Sequence, residues 1–340
     1  MRAATENWLL QHWYGPQPPP WYLRLLEPVY GAVFEIIRQR GETKAAGTIS
    51  GLPLIVVGNI TAGGSGKTPL VIRLSQLAAD MNIKTGIAST GYGRQGTDTR
   101  LVHANSDTRT SGDEPVLLAK RTGLPVVVAK RRADAIGKLA EMGLELIISD
   151  DGLQQADLPR DMELCVVDGM RGLGNGHLLP AGPLREPAVR LGQVDYVVTT
   201  GVWNEKPAGL ETYVMRLDAG NVCSLDGESV VPVAQFRQKN SRMPVHAIAA
   251  IGNPGRFFRT LNELGVESVP HVLPDHHIFS AGDFDSITDG QTIIMTEKDA
   301  VKCRTLGLAN AWYLPVDTHL PAAFENVFKD HLVRLMEKRR

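Results

Sequence analysis

From residue 52 to residue 201, short apolar runs alternate with segments in which apolar residues return every three or four positions. Runs of four to eight apolar residues bounded by turn formers predict buried strands, and the longer period predicts amphipathic helices. Strands are expected at 52–59, 85–90, 125–129, 144–151, 163–169 and 195–201. Helices are expected over 69–81, in "EPVLLAKRTG" and in "RADAIGKLAEMG". Apolar strands joined by helices imply a mostly parallel sheet covered on both faces. Ligands in such sheets bind at the carboxyl ends of the strands.

The rhythm changes after residue 221. "VCSLDGESVVPVAQF" (222–236) reads as two strands around an Asp-Gly turn. A polar break and a second, shorter α/β alternation follow. The expected division is an N-terminal helical region (1–40), a large α/β domain (41–221), a hairpin or hinge (222–240) and a smaller α/β domain (241–340).

Ahead of the first strand, Tyr22, Leu25, Leu26, Val29, Val33, Ile36 and Ile37 recur at helical spacing, with Arg24, Glu27, Glu35, Arg38 and Arg40 between them. Trp13, Trp21 and Tyr22 cluster nearby, as interfacial rings do. A helix lying on a membrane surface and a helix docked on the protein's own core both fit this pattern. Pro28 predicts a first turn or a kink.

Composition narrows the classes. A formal net charge of −1 gives no basic excess for nucleic acid. Cys165, Cys223 and Cys303 lie too far apart for a disulfide framework or a zinc knuckle, which fits a reducing compartment. No secretory signal is visible, and no run reaches the ~20 apolar residues of a spanning helix.

The chemistry concentrates in a few stretches. "NITAGGSGKTPL" (59–70) sits between an expected strand and helix, where a phosphate-binding loop belongs. Its spelling departs from G-x-x-x-x-G-K-[ST], because Thr61 occupies the first glycine position. Thr61, Ala62, Gly63, Gly64, Ser65 and Gly66 would wrap phosphate oxygens with backbone amides, helped by the following helix N-terminus. Lys67 would reach the β- and γ-phosphates, and Thr68 would ligate Mg²⁺. Asp150 and Asp151 end the strand at 144–151, and two adjacent carboxylates favour a cation there.

"SGDEP" offers Asp113 and Glu114, as a helix cap or as the carboxylate a kinase needs beside its acceptor hydroxyl. "LPDHHIF" offers Asp275, His276 and His277. Neighbouring side chains on an extended segment point apart, so one histidine paired with a carboxylate is expected rather than a shared metal. The polar loop 171–187 places Arg171, Asn175 and Arg185 where a sugar or phosphate could be met.

Taken together, "GNITAGGSGKTP", "GYGR", "SGDEP", "DDGLQ", "RGLGNGHLLPAGPLREP", "LPDHH" and "TEKDAVK", in that order from about residue 50 to 302, resemble the tetraacyldisaccharide 4′-kinase family. The resemblance implies a P-loop NTPase-like sheet with helices on both faces, a smaller C-terminal α/β domain and an N-terminal amphipathic helix. It implies ATP and Mg²⁺, and transfer of the γ-phosphate to the 4′-hydroxyl of an acylated disaccharide 1-phosphate at the cytoplasmic face of the bacterial inner membrane. The protein would be peripheral and monomeric, with no nucleic-acid partner. On that reading Lys67 and Thr68 serve ATP and Mg²⁺, and Asp150 and Asp151 form the acidic pair. Asp113 acts with His276, which Asp275 orients. Glu114 supports the metal side and Gln154 the substrate side, while Tyr92, Arg132 and Asn175 hold the disaccharide and its 1-phosphate.

Two positions depart from the family's pattern: Gln155 stands where histidine is usual, and Thr90 where arginine is usual before the Gly-Tyr-Gly turn. A P-loop switch ATPase or GTPase fits less well, because Ala62 replaces a signature lysine and no N-K-x-D is present. A noncatalytic membrane adaptor leaves the loop and acidic pair unexplained.

Overall fold

The computed structural model describes residues 2–44, 51–287 and 290–339. The expected boundary after residue 40 falls inside a helix that continues to Lys44. Helices α1 (Arg2–Tyr14) and α2 (Trp21–Lys44) precede a first sheet. Its parallel strands are β1 (Leu54–Gly58), β2 (Thr85–Ser89), β4 (Val126–Val128), β5 (Leu146–Asp150), β6 (Met162–Asp168), β7 (Tyr196–Thr200) and β8 (Tyr213–Ala219). β3 (Arg100–Val102) adds antiparallel to β4 at one edge. The central strands are apolar without alternation, since helices cover both faces: α3 (Lys67–Asp80) and α5 (Asp113–Thr122) on one, α6 (Arg132–Ala140) on the other. A short α4 (Thr108–Ser111) leads into α5.

The second sheet has the order β10-β9-β14-β13-β11-β12. β9 (Val222–Ser224) and β10 (Val230–Val231) form the expected hairpin, but "VAQFRQK" continues as helix α7 (Val233–Lys239). β11 (Val245–Ala249), β12 (Ser268–Val272), β13 (Ile293–Thr296) and β14 (Ala311–Leu314) run parallel, with α8 (Pro254–Glu263) and α9 (Glu297–Cys303) between them.

Sheet pairing differs from the expected division in two places. The hairpin is no linker: β9 pairs with β14 inside the second sheet. The chain also does not finish in the smaller unit. After Pro315 it returns as β15 (Val316–His319), antiparallel to β8. It then ends as α10 (Ala322–Arg339), whose Phe324, Phe328 and Leu332 are fully buried in the core of the first sheet. Those aromatics need an apolar surface, and the sheet's α3 face provides it. Two adjacent crossings, at Gly220 and Pro315, therefore join the units, with the Gly220 amide donating to the Pro315 carbonyl at 3.0 Å.

The order β6-β1-β5 at the sheet centre fixes the site. It sets the loop after β1 beside the carboxyl end of β5 on one side and β6 on the other. Within α2, Pro28 sits inside a continuous helix.

Candidate active site

The loop after β1 turns back across the top of the sheet. Gly63 and Gly66 lie at φ 104° and 100°, the left-handed region that glycine tolerates. A Cβ on Gly66 would sit 2.6 Å from Thr200 Oγ1, which donates to the Ser65 carbonyl at 2.6 Å. Thr61 needs no such freedom. It is extended and forms an antiparallel bridge with Leu184, flanked by Ala62 N to Pro183 O and Arg185 N to Ile60 O, each 2.7 Å. The missing glycine is thus the mark of an added strand contact, and the turn is made by Gly63 to Gly66 instead.

Lys67 opens α3 with its Nζ 3.2 Å from Asn59 Oδ1 and 3.4 Å from Asp151 Oδ1; Thr68 follows it in the first turn. Asn59, fully buried, also donates to the Thr61 carbonyl at 2.6 Å. No local motif marks it, although it stands at the strand end beside the loop.

Asp150 ends β5, and Asp151 turns the chain in the left-handed region at φ 57°. Both carboxylate oxygens of Asp150 are buried and without a hydrogen-bond partner. Burial, with Glu114 and Asp151 adding negative charge, pushes its pKa up to about 7. For Asp151, burial is outweighed by Lys67, Arg185 and Arg132, and its pKa falls. Among the described residues, no group of three or more His, Cys, Asp or Glu side chains gathers as a metal cage. Mg²⁺ asks for no cage: it takes one or two carboxylates beside waters and phosphates. The orphaned oxygens of Asp150 fit that demand.

Asp113 opens α5 and is 6% exposed, with one oxygen accepting the Glu114 amide at 2.9 Å. Across the gap between the two sheets, His276 Nδ1 lies 3.2 and 3.1 Å from the two Asp113 oxygens. His276 stands at φ 60°, so the segment is a tight turn rather than the expected extended run. The Asp275 carboxylate holds that turn by accepting the His276 amide at 3.0 Å. His277 faces away, to Asp283 at 3.0 Å. The Tyr92 ring packs 5.0 Å from the His276 ring. A cavity of about 450 Å³ opens beside the pair, lined among others by Tyr92, Arg109 and Lys302.

Two cations absent from the sequence reading complete this cluster. Lys298 Nζ, on α9, is 2.9 Å from Glu114 Oε1, 3.6 Å from Asp275 Oδ1 and 3.9 Å from Asp113 Oδ2. Lys302 Nζ is 3.8 Å from Asp113 Oδ2 and 2.7 Å from Asp299 Oδ1. Burial alone would raise the Asp113 pKa. Lys298, the His276 hydrogen bond and Lys302 outweigh it and hold the carboxyl well below the usual range. Burial likewise opposes charge on His276, but the bond to Asp113 wins and its pKa rises. The available signal was "TEKDAVK", which sets two lysines four apart on one helix face.

Several expected substrate contacts have partners within the chain. Arg132 is 2% exposed and donates to the carbonyls of Asp151 at 2.8 Å and Asp150 at 2.6 Å, so it shapes the acidic turn. The Asn175 amide donates to His12 O and Ala181 O and accepts from His177 N. Gln154 bridges Asn59 O and Glu186. Arg171 donates to the Gly252 carbonyl at 2.9 Å. There the second unit closes on the first: a Cβ on Gly252 would lie 2.5 Å from Gly64 N, and Asp168 accepts from Asn253 at 2.9 Å and from Arg256. A polar residue in a loop is a poor guide to its partner, because folding competes for the same hydrogen bonds.

Comparison with known proteins decides the family. Residues 19–333 match the family described as Tetraacyldisaccharide-1-P 4′-kinase. The chain belongs to this family. Its relatives include the tetraacyldisaccharide 4′-kinases of Hahella chejuensis, 43% identical over 93% of this chain and 94% of that one, and of Alcanivorax borkumensis, 44% identical over 94% and 95%. Among solved structures, LpxK from Aquifex aeolicus in complex with ATP matches with a TM-score of 0.73 at 28% identity, covering 92% of this chain and 97% of that one. Membership makes the chain an ATP-dependent kinase of lipid A synthesis, acting at the 4′ position of a tetraacyldisaccharide 1-phosphate. The P-loop NTPase-like sheet fits an ATP-dependent kinase.

Proposed function

We propose that the Asp113–His276 pair, joined across the two sheets and opening onto the cavity, takes the proton of the acceptor hydroxyl. Asp113 is held ionised by Lys298 and Lys302, so the imidazole is the group that changes charge. Neutral His276 receives the proton, and the Asp113 carboxylate stabilises the imidazolium. Lys67 and the loop amides bind the ATP phosphates, aligning the γ-phosphoryl group for in-line transfer. Asp150, Asp151 and Thr68 would hold Mg²⁺, which supplies charge neutralisation of the phosphates. Glu114 sits close enough to add to the field at Asp150, although its own carboxylate is paired with Lys298. Tyr92, exposed at the cavity mouth, is the best-placed of the expected sugar contacts.

Among the described residues, no helix is long and apolar enough to cross a membrane. In α2, Trp21, Tyr22, Leu25, Leu26, Val29, Val33, Ile36 and Ile37 are all at least 47% exposed. Two polar residues of α2 bind the protein body: Glu27 accepts from Leu178 N at 2.8 Å, and Tyr30 donates to Arg185 O at 3.1 Å. A helix that turns its apolar stripe to solvent supports docking on a lipid surface, where an acylated acceptor resides. For a cytosolic ATP donor, that surface is the cytoplasmic face of the inner membrane.

The test is ATP-dependent phosphorylation of a tetraacyldisaccharide 1-phosphate in mixed micelles. Asp113→Asn and His276→Gln should each lower kcat by about 10²–10⁴-fold with little change in ATP binding. Near-normal turnover in either variant contradicts the pairing.

A further inference from the structure

α1, which lies before the part of the chain matched by the family, ends directly on the nucleotide loop. Tyr14, its last residue, donates its hydroxyl to the Ala62 carbonyl at 3.2 Å. The Arg171 guanidinium lies over the Tyr14 ring, 4.9 Å from its centroid, and reaches on to the Gly252 carbonyl that caps Gly63 and Gly64. Burial pushes the Tyr14 pKa up to about 12, so the hydroxyl stays a donor through the physiological range.

The same helix end is pinned to the loop 171–185. Trp13 Nε1 donates to Pro180 O at 3.0 Å, Asn175 N donates to Trp13 O at 2.8 Å, and Asn175 Nδ2 donates to His12 O at 3.1 Å. That loop holds α2 through Glu27, which meets His177 at 2.9 Å and Leu178 N. It also holds the nucleotide loop through the Thr61–Leu184 bridge. A continuous set of bonds therefore runs from the exposed apolar helix to the loop that wraps the phosphates.

We propose that Tyr14 is a positioning residue through which seating of α2 on a lipid surface sets the nucleotide loop for ATP. This rests on the docking reading of α2. Seating of α2 is passed by Glu27 to the loop 171–185, which grips the end of α1 at Trp13, and the Tyr14 hydroxyl and ring carry that constraint to Ala62 and, through Arg171, to Gly252. A ligand shifts such an equilibrium only through a difference in affinity between the two arrangements. The reciprocal expectation is that bound ATP strengthens lipid docking by the same factor.

The experiment uses the full chain, vesicles of phosphatidylethanolamine and phosphatidylglycerol, flotation, and equilibrium ATP titration with and without vesicles. The wild type should float and bind ATP more tightly on vesicles. Tyr14→Phe keeps the ring beneath Arg171 and removes one hydrogen bond. It should float like the wild type, lose roughly three- to tenfold in ATP affinity, keep kcat at saturating ATP, and lose the lipid response. A lipid response that survives in Tyr14→Phe overturns the proposal, as does a fall in kcat with ATP affinity unchanged. A floating wild type with lipid-independent ATP affinity overturns the relay and leaves docking standing. A wild type that does not float overturns both.

Discussion

Asp113 and Asp150 are both buried carboxylates at the same end of one sheet, and their surroundings are opposite. Asp113 is met by His276, Lys298 and Lys302, all from the second unit, and its pKa falls. Asp150 is met by Glu114 and Asp151, its oxygens have no donor, and its pKa rises to about 7. The contrast separates two ways of using a buried charge. At Asp113 the chain provides its own cations, so the site is complete once the two units meet. At Asp150 burial and the neighbouring carboxylates outweigh Lys67 and Arg132, which supports the proposed role of the strand end in holding Mg²⁺ beside the nucleotide.

The largest effect should come from abolishing that difference at Asp150. Asp150→Asn should lower turnover by roughly 10²–10³-fold while stabilising the metal-free protein. The sign follows from linkage: a folded pKa above the unfolded 3.8 means the folded state binds the extra proton. Stability is therefore lost as pH rises from about 4 to about 7. The variant lacks this loss and should melt several degrees higher at pH 8, but no higher at pH 4, as measured by calorimetry. A destabilised variant at pH 8 contradicts the uncompensated charge.

A smaller effect is expected at Lys298. Its ammonium lowers the pKa of Asp113 and opposes charge on His276. In Lys298→Met both pKa values rise, so the acid limb of the kcat–pH profile should move up on the order of one pH unit. On that limb the shift costs about tenfold in turnover. Lys298→Arg keeps the charge and should hold the limb near its wild-type position. An unmoved limb in the methionine variant removes Lys298 from the acid–base unit.

These contrasts were unequally legible in the sequence. Strand–loop–helix order and the pair Asp150–Asp151 are local, so the P-loop side could be read directly. Even Thr61 carried information, although its reason, a bridge to Leu184 more than a hundred residues on, lay outside any local pattern. Asp113 and His276 are 163 positions apart, and pattern alone left each with a structural alternative; the order of motifs joined them. Lys298 and Lys302 escaped notice because a lysine on a short helix looks like a solvated face until another sheet is set against it. Arg132 and Asn175 show the opposite difficulty: each donates to backbone carbonyls that local sequence does not bring near it. The return of β15 and α10 to the first sheet was hidden for the same reason. Pairing partners far apart in the chain are set by which apolar surface is available, and local periodicity does not report it.

The most direct test of the account reads the two carboxylates themselves, by carbon-13 NMR of the full chain labelled at aspartate carboxyls and assigned with Asp113→Asn and Asp150→Asn. In the metal-free protein the Asp113 signal should stay at its ionised position from pH 5 to 8, while the Asp150 signal titrates near 7. Both signals titrating together in the ordinary carboxylate range would contradict it.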